Sequence, residues 1–351
     1  MQCLKFNGRY NFIHGGFQRL LLYSTSTSTP TSSSNSTDCF AEYIADTLGF
    51  SDKEALSVST KFLKGKKVND SRFVETANSV VNLFKKHGFD ETHLRIIVSK
   101  QPRLLSCKAE STLIPKFQFL QEQGFSESDI IRVISANPTI LNYSIDSSIL
   151  PAFQILRQVM GCDNYVIRVL SKLGNREICS VVKNLLPNVE LLDSYGISIE
   201  FMRKHLLRNP APYMRNPIVF KEVTMKVEEK LGITRDSTVF LYGIDLMFGL
   251  SEERFLSKCR IFSSFGWSQF EIETFMMKNV SCFAYSEERI KKRLDFLMNE
   301  LKVEPAYLTS RGRLFTLSLE KRVVPRYKIV RVLKEKGLLT QNACVYGAIT
   351  M

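Results

Sequence analysis

A chain that repeats the same short punctuation about every 36 residues is restricted to architectures that stack one unit on the next. Seven such strings are present: LGFSDKE from Leu48, HGFDETH from His87, QGFSESD from Gln123, MGCDNYV from Met160, YGISIEF from Tyr195, LGITRDS from Leu231 and FGWSQFE from Phe265. Their glycines are Gly49, Gly88, Gly124, Gly161, Gly196, Gly232 and Gly266, at intervals of 39, 36, 37, 35, 36 and 34 residues. A degenerate eighth copy, LKVEPAY, puts Lys302 another 36 residues on.

Each string reads as a junction between two helices. A glycine just past a helix end takes the left-handed conformation at little steric cost and closes the last carbonyls. The apolar residue after it (Phe50, Phe89, Phe125, Ile197 or Trp267) can fold back on the preceding turn. A residue that can cap the next helix follows: Ser51, Asp90, Ser126, Asp163, Ser198, Thr234 or Ser268. Ser51 with Glu54, and Ser268 with Glu271, have capping-box spacing. Pro102, Pro138 and Pro210 lie about 14 residues past their glycines, where proline ends a second helix of about three turns. Pro115, Pro151 and Pro187 lie 36 apart, about nine residues before their glycines, in the first turn of a leading helix where a missing N–H matters least. A helix pair cannot bury its apolar face alone, so the units must stack. The expected fold is an all-α helical-repeat solenoid of about eight units.

The formal net charge is +13, an excess that attracts polyanions: nucleic acid or an anionic membrane surface. No run approaches the roughly 20 apolar residues that span a bilayer, so a soluble chain is expected. The eight cysteines have no C-x-x-C spacing and read as small core residues in a reducing compartment, with no metal site. No phosphate-cradling glycine loop, H-E-x-x-H or G-x-S-x-G occurs, and Glu252–Glu253 and Glu287–Glu288 sit near helix starts, where they complement the helix dipole. An enzyme and a cofactor are not expected. Before Asp38 there is no acidic residue, while Lys5, Arg9 and Arg19 precede a short apolar run and a Ser/Thr tract. That composition reads as a disordered transit peptide over residues 1–37, mitochondrial before plastid.

Charge is concentrated at one end. Between Pro305 and Thr340 stand Arg311, Arg313, Lys321, Arg322, Arg326, Lys328, Arg331, Lys334 and Lys336, opposed only by Glu320 and Glu335. A second pattern is Arg95, Arg132, Arg168 and Arg203, seven or eight residues past their glycines, at one place on four consecutive second helices. The apolar residues around Arg132 point to the opposite side of its helix, so these arginines should face outward as a row. Both sets are candidate phosphate contacts, and each is also consistent with a plain solvated wall. The aromatic residues, 11% of the chain, have helix-core spacing and read as packing, not as platforms for stacking bases.

The segments SKQPRLLSCKAESTLIPKFQFLQEQGFSESDI and SANPTILNYSIDSSILPAF, and above all RGRLFTLSLEKRVVPRYKIVRVLKEKGLL from Arg311, resemble the mitochondrial transcription termination factor (mTERF) family, in particular its plant members. The resemblance implies a right-handed superhelix of helical triplets with a basic groove, over a repeat array at 71–340 flanked by an N-terminal cap at 38–70 and a tail at 341–351. It implies a monomer that binds organellar DNA or RNA, double-stranded DNA first, and acts in organellar transcription or its termination. The alternative is a protein- or RNA-binding scaffold in organellar splicing or ribosome assembly. Two units depart from the pattern: Gly174 and Asn175 replace the proline segment in SKLGNREI, and YGIDLMFG has none.

Overall fold

The computed structural model describes residues 35–62, 70–174 and 178–338. Residues 1–34, which hold almost all of the expected transit peptide, the 63–69 part of the expected cap, Asn175 and the tail at 341–351 lie outside the described residues.

The described chain is a linear succession of helical units, and no strand occurs among the described residues. Helices α1 (Asn35–Leu48) and α2 (Asp52–Phe62) open it, followed by α3 (Asp70–Lys86) and α4 (Glu91–Lys100). Next come α5 (Ile114–Glu122) with α6 (Glu127–Ala136), and α7 (Leu150–Met160) with α8 (Asp163–Leu173). The fifth unit holds the short α9 (Ile178–Ser180), α10 (Leu186–Ser194) and α11 (Ile199–Arg208). It is followed by α12 (Pro217–Leu231) with α13 (Phe240–Gly249), and α14 (Glu252–Ser264) with α15 (Gln269–Asn279). The last elements are α16 (Glu287–Leu294), α17 (Pro305–Ser310), α18 (Arg313–Thr316) and α19 (Val324–Glu335).

The glycine ladder is a ladder of left-handed residues. All seven glycines have φ between 64° and 84°, Lys302 continues the series at 56°, and Gly337 adds a ninth step at 67°. The backbone N–H of Phe89, Phe125, Ile197 and Trp267 reaches back to the carbonyl five residues earlier, as a closing Schellman turn requires. Lys302 is the one non-glycine residue described with positive φ, a strained position for a side chain bearing Cβ.

Both proline series have a local consequence. Pro102 and Pro138 open short 3-10 helices, Pro102–Ser106 and Pro138–Asn142, which supply the third segment of their units. The fifth and seventh units have the same segment at Pro212–Met214 and Val280–Ala284. Pro115, Pro151 and Pro187 stand at the second positions of α5, α7 and α10, but the leading helix begins one turn earlier than expected. A π turn precedes each: Ala109–Leu113, Ile145–Ile149 and Val181–Leu185. Because proline has no N–H to offer, the preceding residue bonds five back instead, as Ile114 N–H does to the Ala109 carbonyl. Pro325 repeats the device before α19.

Two expected caps are corrected. Asp163 is the first residue of α8 and Cys162 is its N-cap, because Arg157 Nε draws the Asp163 carboxylate into an ion pair at 2.6 Å. Thr234 caps nothing: α13 starts at Phe240, after a loop pinned by Arg235, which pairs with Glu228 at 2.8 Å and lies 4.0 Å from the centre of the Tyr195 ring. That unit needs no proline segment. A Cβ on Gly243 would stand 2.8 Å from Val227, so α13 presses directly on α12. Asp90, Ser126, Ser198 and Ser268 cap as expected, and three of these four close capping boxes.

The units share one apolar core. Its largest fully buried side chains are mostly phenylalanines, among them Phe84, Phe117, Phe153, Phe262, Phe275 and Phe315. Burying each contributes about 1.5–3 kcal/mol. Packing is what most of these rings do, although Phe270 is left exposed.

Candidate nucleic-acid interface

The helices that carry the arginine row lie side by side: α4 contacts α6, α6 contacts α8 and α8 contacts α11. The four arginines therefore occupy equivalent places on neighbouring helices, but they are not equally available. Arg95 donates to Glu54 Oε2 at 3.1 Å and lies over the Phe50 ring. Arg132 is paired with Asp129, whose carboxylate also accepts from the Ser126 hydroxyl. Arg203 is half-buried, its Nε donating to the Val159 carbonyl at 2.7 Å and its guanidinium filling the space that Gly161 leaves open. Arg168 is exposed and has no ion-pair or hydrogen-bond partner among the described residues.

The basic end is arranged differently. Arg311, Arg313, Lys321, Arg322, Lys328, Lys334 and Lys336 are exposed, and Arg326 is half-buried. Arg331 shares its charge with Glu335 across one helical turn at 2.9 Å, both side chains well over half exposed. Exposed pairs of this kind contribute under about 1 kcal/mol and exchange readily for another anion. Lys321 lies in the π turn Leu319–Val323, which Ser318 caps through the Lys321 N–H, and the turn runs straight into α19. Basic side chains from a loop, a turn and a helix thus share one end of the array.

Sequence reasoning missed a set of buried polar donors, most of them cations, that serve the fold. Lys116, Asn188 and Lys258 each stand eight residues before a ladder glycine, and all three are buried. Each donates to a carbonyl at the end of its unit's third segment: Lys116 to Leu141, Asn188 to Tyr213 at 2.9 Å and Lys258 to Phe283 at 2.6 Å. Arg293, 3% exposed, does the same with Nη1 to the carbonyls of Phe315 and Leu317 at 2.9 and 2.5 Å. Burial pushes the pKa of Lys116, Lys258 and Arg293 below the ordinary values for these groups. Their fixed offset from the glycines was the available signal. Lys100 and Lys172 do a similar job across units, donating to the last carbonyls of α6 and α11.

Among the described residues no three His, Cys, Asp or Glu side chains group where they could hold a metal ion, and no helix is long and apolar enough to cross a membrane. Burial raises the Cys259 thiol to about 11 and the Cys282 thiol to about 12, which keeps both protonated and unreactive. His205 is buried and has two polar partners. It bonds Asp245 at 3.1 Å and the Tyr213 hydroxyl at 3.2 Å, which ties α11 to α13 inside the core.

An all-α array of short helical units, closed by left-handed glycines and carrying exposed basic side chains in its last described units, defines a helical-repeat protein. The chain belongs to the mTERF family, which it matches over residues 81–239 and 164–347. No curated protein matches the chain.

Proposed function

We propose that the chain binds organellar nucleic acid, double-stranded DNA in the first place, and regulates organellar transcription or its termination. The observation that carries this reading is the basic set of the last units, in which Arg311, Arg313, Lys321, Arg322, Lys328 and Arg331 are exposed and Arg326 is half-buried. Arginine suits phosphate because its planar fork can bond two oxygens. The row adds a second line of contact in which Arg168 is free from the start, while Arg95, Arg132 and Arg203 must leave partners to reach a phosphate. Membership in the family and the acid-free first 37 residues support an organellar setting, the mitochondrion before the plastid.

The test is a salt series with the full chain on a labelled duplex of arbitrary sequence and on single-stranded RNA. Engagement of Z phosphates predicts a fall of log K against log salt with slope about −0.9Z on duplex DNA. No binding to either polymer at low salt, or a flat salt response, rejects the reading. One observation favours a second reading as a protein-binding scaffold: Ile218, Val219 and Met225 of α12 are exposed apolar residues. That reading expects a protein partner whose association survives nuclease treatment.

A further inference from the structure

Resting on the reading above, we propose that the Arg311–Gly312–Arg313 turn is a pre-formed two-phosphate grip, and that Gly312, seated on Asn279, is the residue that aims it. Gly312 has ordinary right-handed dihedrals, φ −54° and ψ −18°, so backbone freedom does not explain the glycine. Close approach does. A methyl group built at Gly312 overlaps the Oδ1, Cγ and Nδ2 atoms of the Asn279 side chain, at the C-terminal end of α15. A larger residue fits only if the Asn279 side chain or the turn itself gives way.

The same turn is held from two further directions. Leu314 and Phe315, just after it, are fully buried, and the Phe315 ring packs 5.4 Å from that of Phe275 and 5.9 Å from that of Phe262. From below, the buried Arg293 guanidinium holds the carbonyls of Phe315 and Leu317. The backbone closes locally as well: Arg311 N–H donates to the Tyr307 carbonyl at 2.9 Å, and Leu314 N–H to the Arg311 carbonyl at 3.0 Å.

What remains outside this seat is the pair of flanking side chains. Arg311 and Arg313 are both exposed, and neither guanidinium has an ion-pair or hydrogen-bond partner among the described residues. Two guanidinium groups on a backbone fixed at three points have little conformational freedom left to lose at the backbone when they meet a phosphodiester chain. That is the condition under which charge contributes most to affinity. It sets this pair apart from Arg95 and Arg132, which begin paired to carboxylates.

The experiment measures binding of the full chain to a labelled duplex across a salt series, with thermal melts of every variant. Arg311→Ala with Arg313→Ala should weaken binding about tenfold near 0.1 M salt and shallow the salt slope by about 1.8, the value for two phosphates. Gly312→Ala, which keeps both charges, should reproduce most of that loss. Asn279→Ala alone should bind like the wild type. Asn279→Ala combined with Gly312→Ala removes the overlap and should recover affinity to within about twofold of wild type. The proposal is overturned by a folded Gly312→Ala that binds like wild type, by no loss on removing both arginines, or by a double variant as weak as Gly312→Ala. Should Gly312→Ala fail to fold, the double variant decides alone: wild-type affinity supports the seat and weak binding refutes it. Wild-type protein with no affinity for duplex or RNA refutes the functional reading itself, which is a separate result.

Discussion

The long first part of the array and its last units use positive charge in opposite ways. Residues 35–286 carry thirty-one basic and twenty-eight acidic side chains, whereas residues 287–338 carry fourteen and seven. In the first part much of the cation set holds the stack together. Lys100 and Lys172 close neighbouring helix ends, Lys116 and Lys258 hold buried carbonyls, and Arg157, Arg203 and Arg235 pin turns. In the last units Arg293 alone is buried in that role, and most of the others face solvent. A basic residue beside a neighbour's helix end is consumed by the fold, as Lys100 and Lys172 are.

The largest effect should come from changing Arg322, Arg326 and Arg331 together to alanine. Binding should weaken by about one to two orders of magnitude near 0.1 M salt, on all sequences alike, with the slope shallower by up to about 2.7. The matching change in the first part, Arg95→Ala with Arg132→Ala, should cost less than about threefold, since both side chains already spend their charge on carboxylates. An equal loss from the two sets would break the contrast.

Stability should show the reverse ordering. Arg293→Met leaves two buried carbonyls unpaired beneath the basic turn and should cost about 3 kcal/mol in urea unfolding, by analogy with charged hydrogen bonds lost from the interior. Lys302→Gly relieves the left-handed side chain and should stabilise by about 1 kcal/mol. No change on that substitution would mean that Lys302 makes a compensating contact.

These particular residues also show what could be read in advance. The ladder of turns was legible as far as degenerate Lys302, because a left-handed helix end leaves a residue-type mark, but its ninth step at Gly337 was not read. Aromatic packing was legible from periodicity. The π turns were not, because they arise from what proline lacks and leave no pattern of their own. Asp163 and Thr234 failed as caps because Arg157 and Arg235 compete for the local acids and rings, a tertiary event. The arginine row was legible as a row, but the sequence did not reveal that Glu54, Asp129 and the Val159 carbonyl already occupy three of its four members. The seat under Gly312 left no signal beyond one glycine between two arginines.

The smallest effect lies at the capping boxes. Hydrogen bonds from Ser51 and Ser268 hold Glu54 and Glu271 below the usual carboxylate range. Their contribution is complete above the unfolded value near about pH 4.3 and is lost as pH falls through the lowered folded values. Glu54→Gln with Glu271→Gln should therefore flatten the acid-side fall of the melting temperature slightly, and leave it unchanged at neutral pH apart from a constant offset.

The most direct test of the central contrast is photo-crosslinking of the full chain to a duplex of arbitrary sequence, with crosslinked peptides mapped by mass spectrometry. Crosslinks concentrated between residues 287 and 338, with Arg168 the main site outside them, are the predicted result. Crosslinks spread evenly over α4, α6, α8 and α11, with few in the last units, would contradict it.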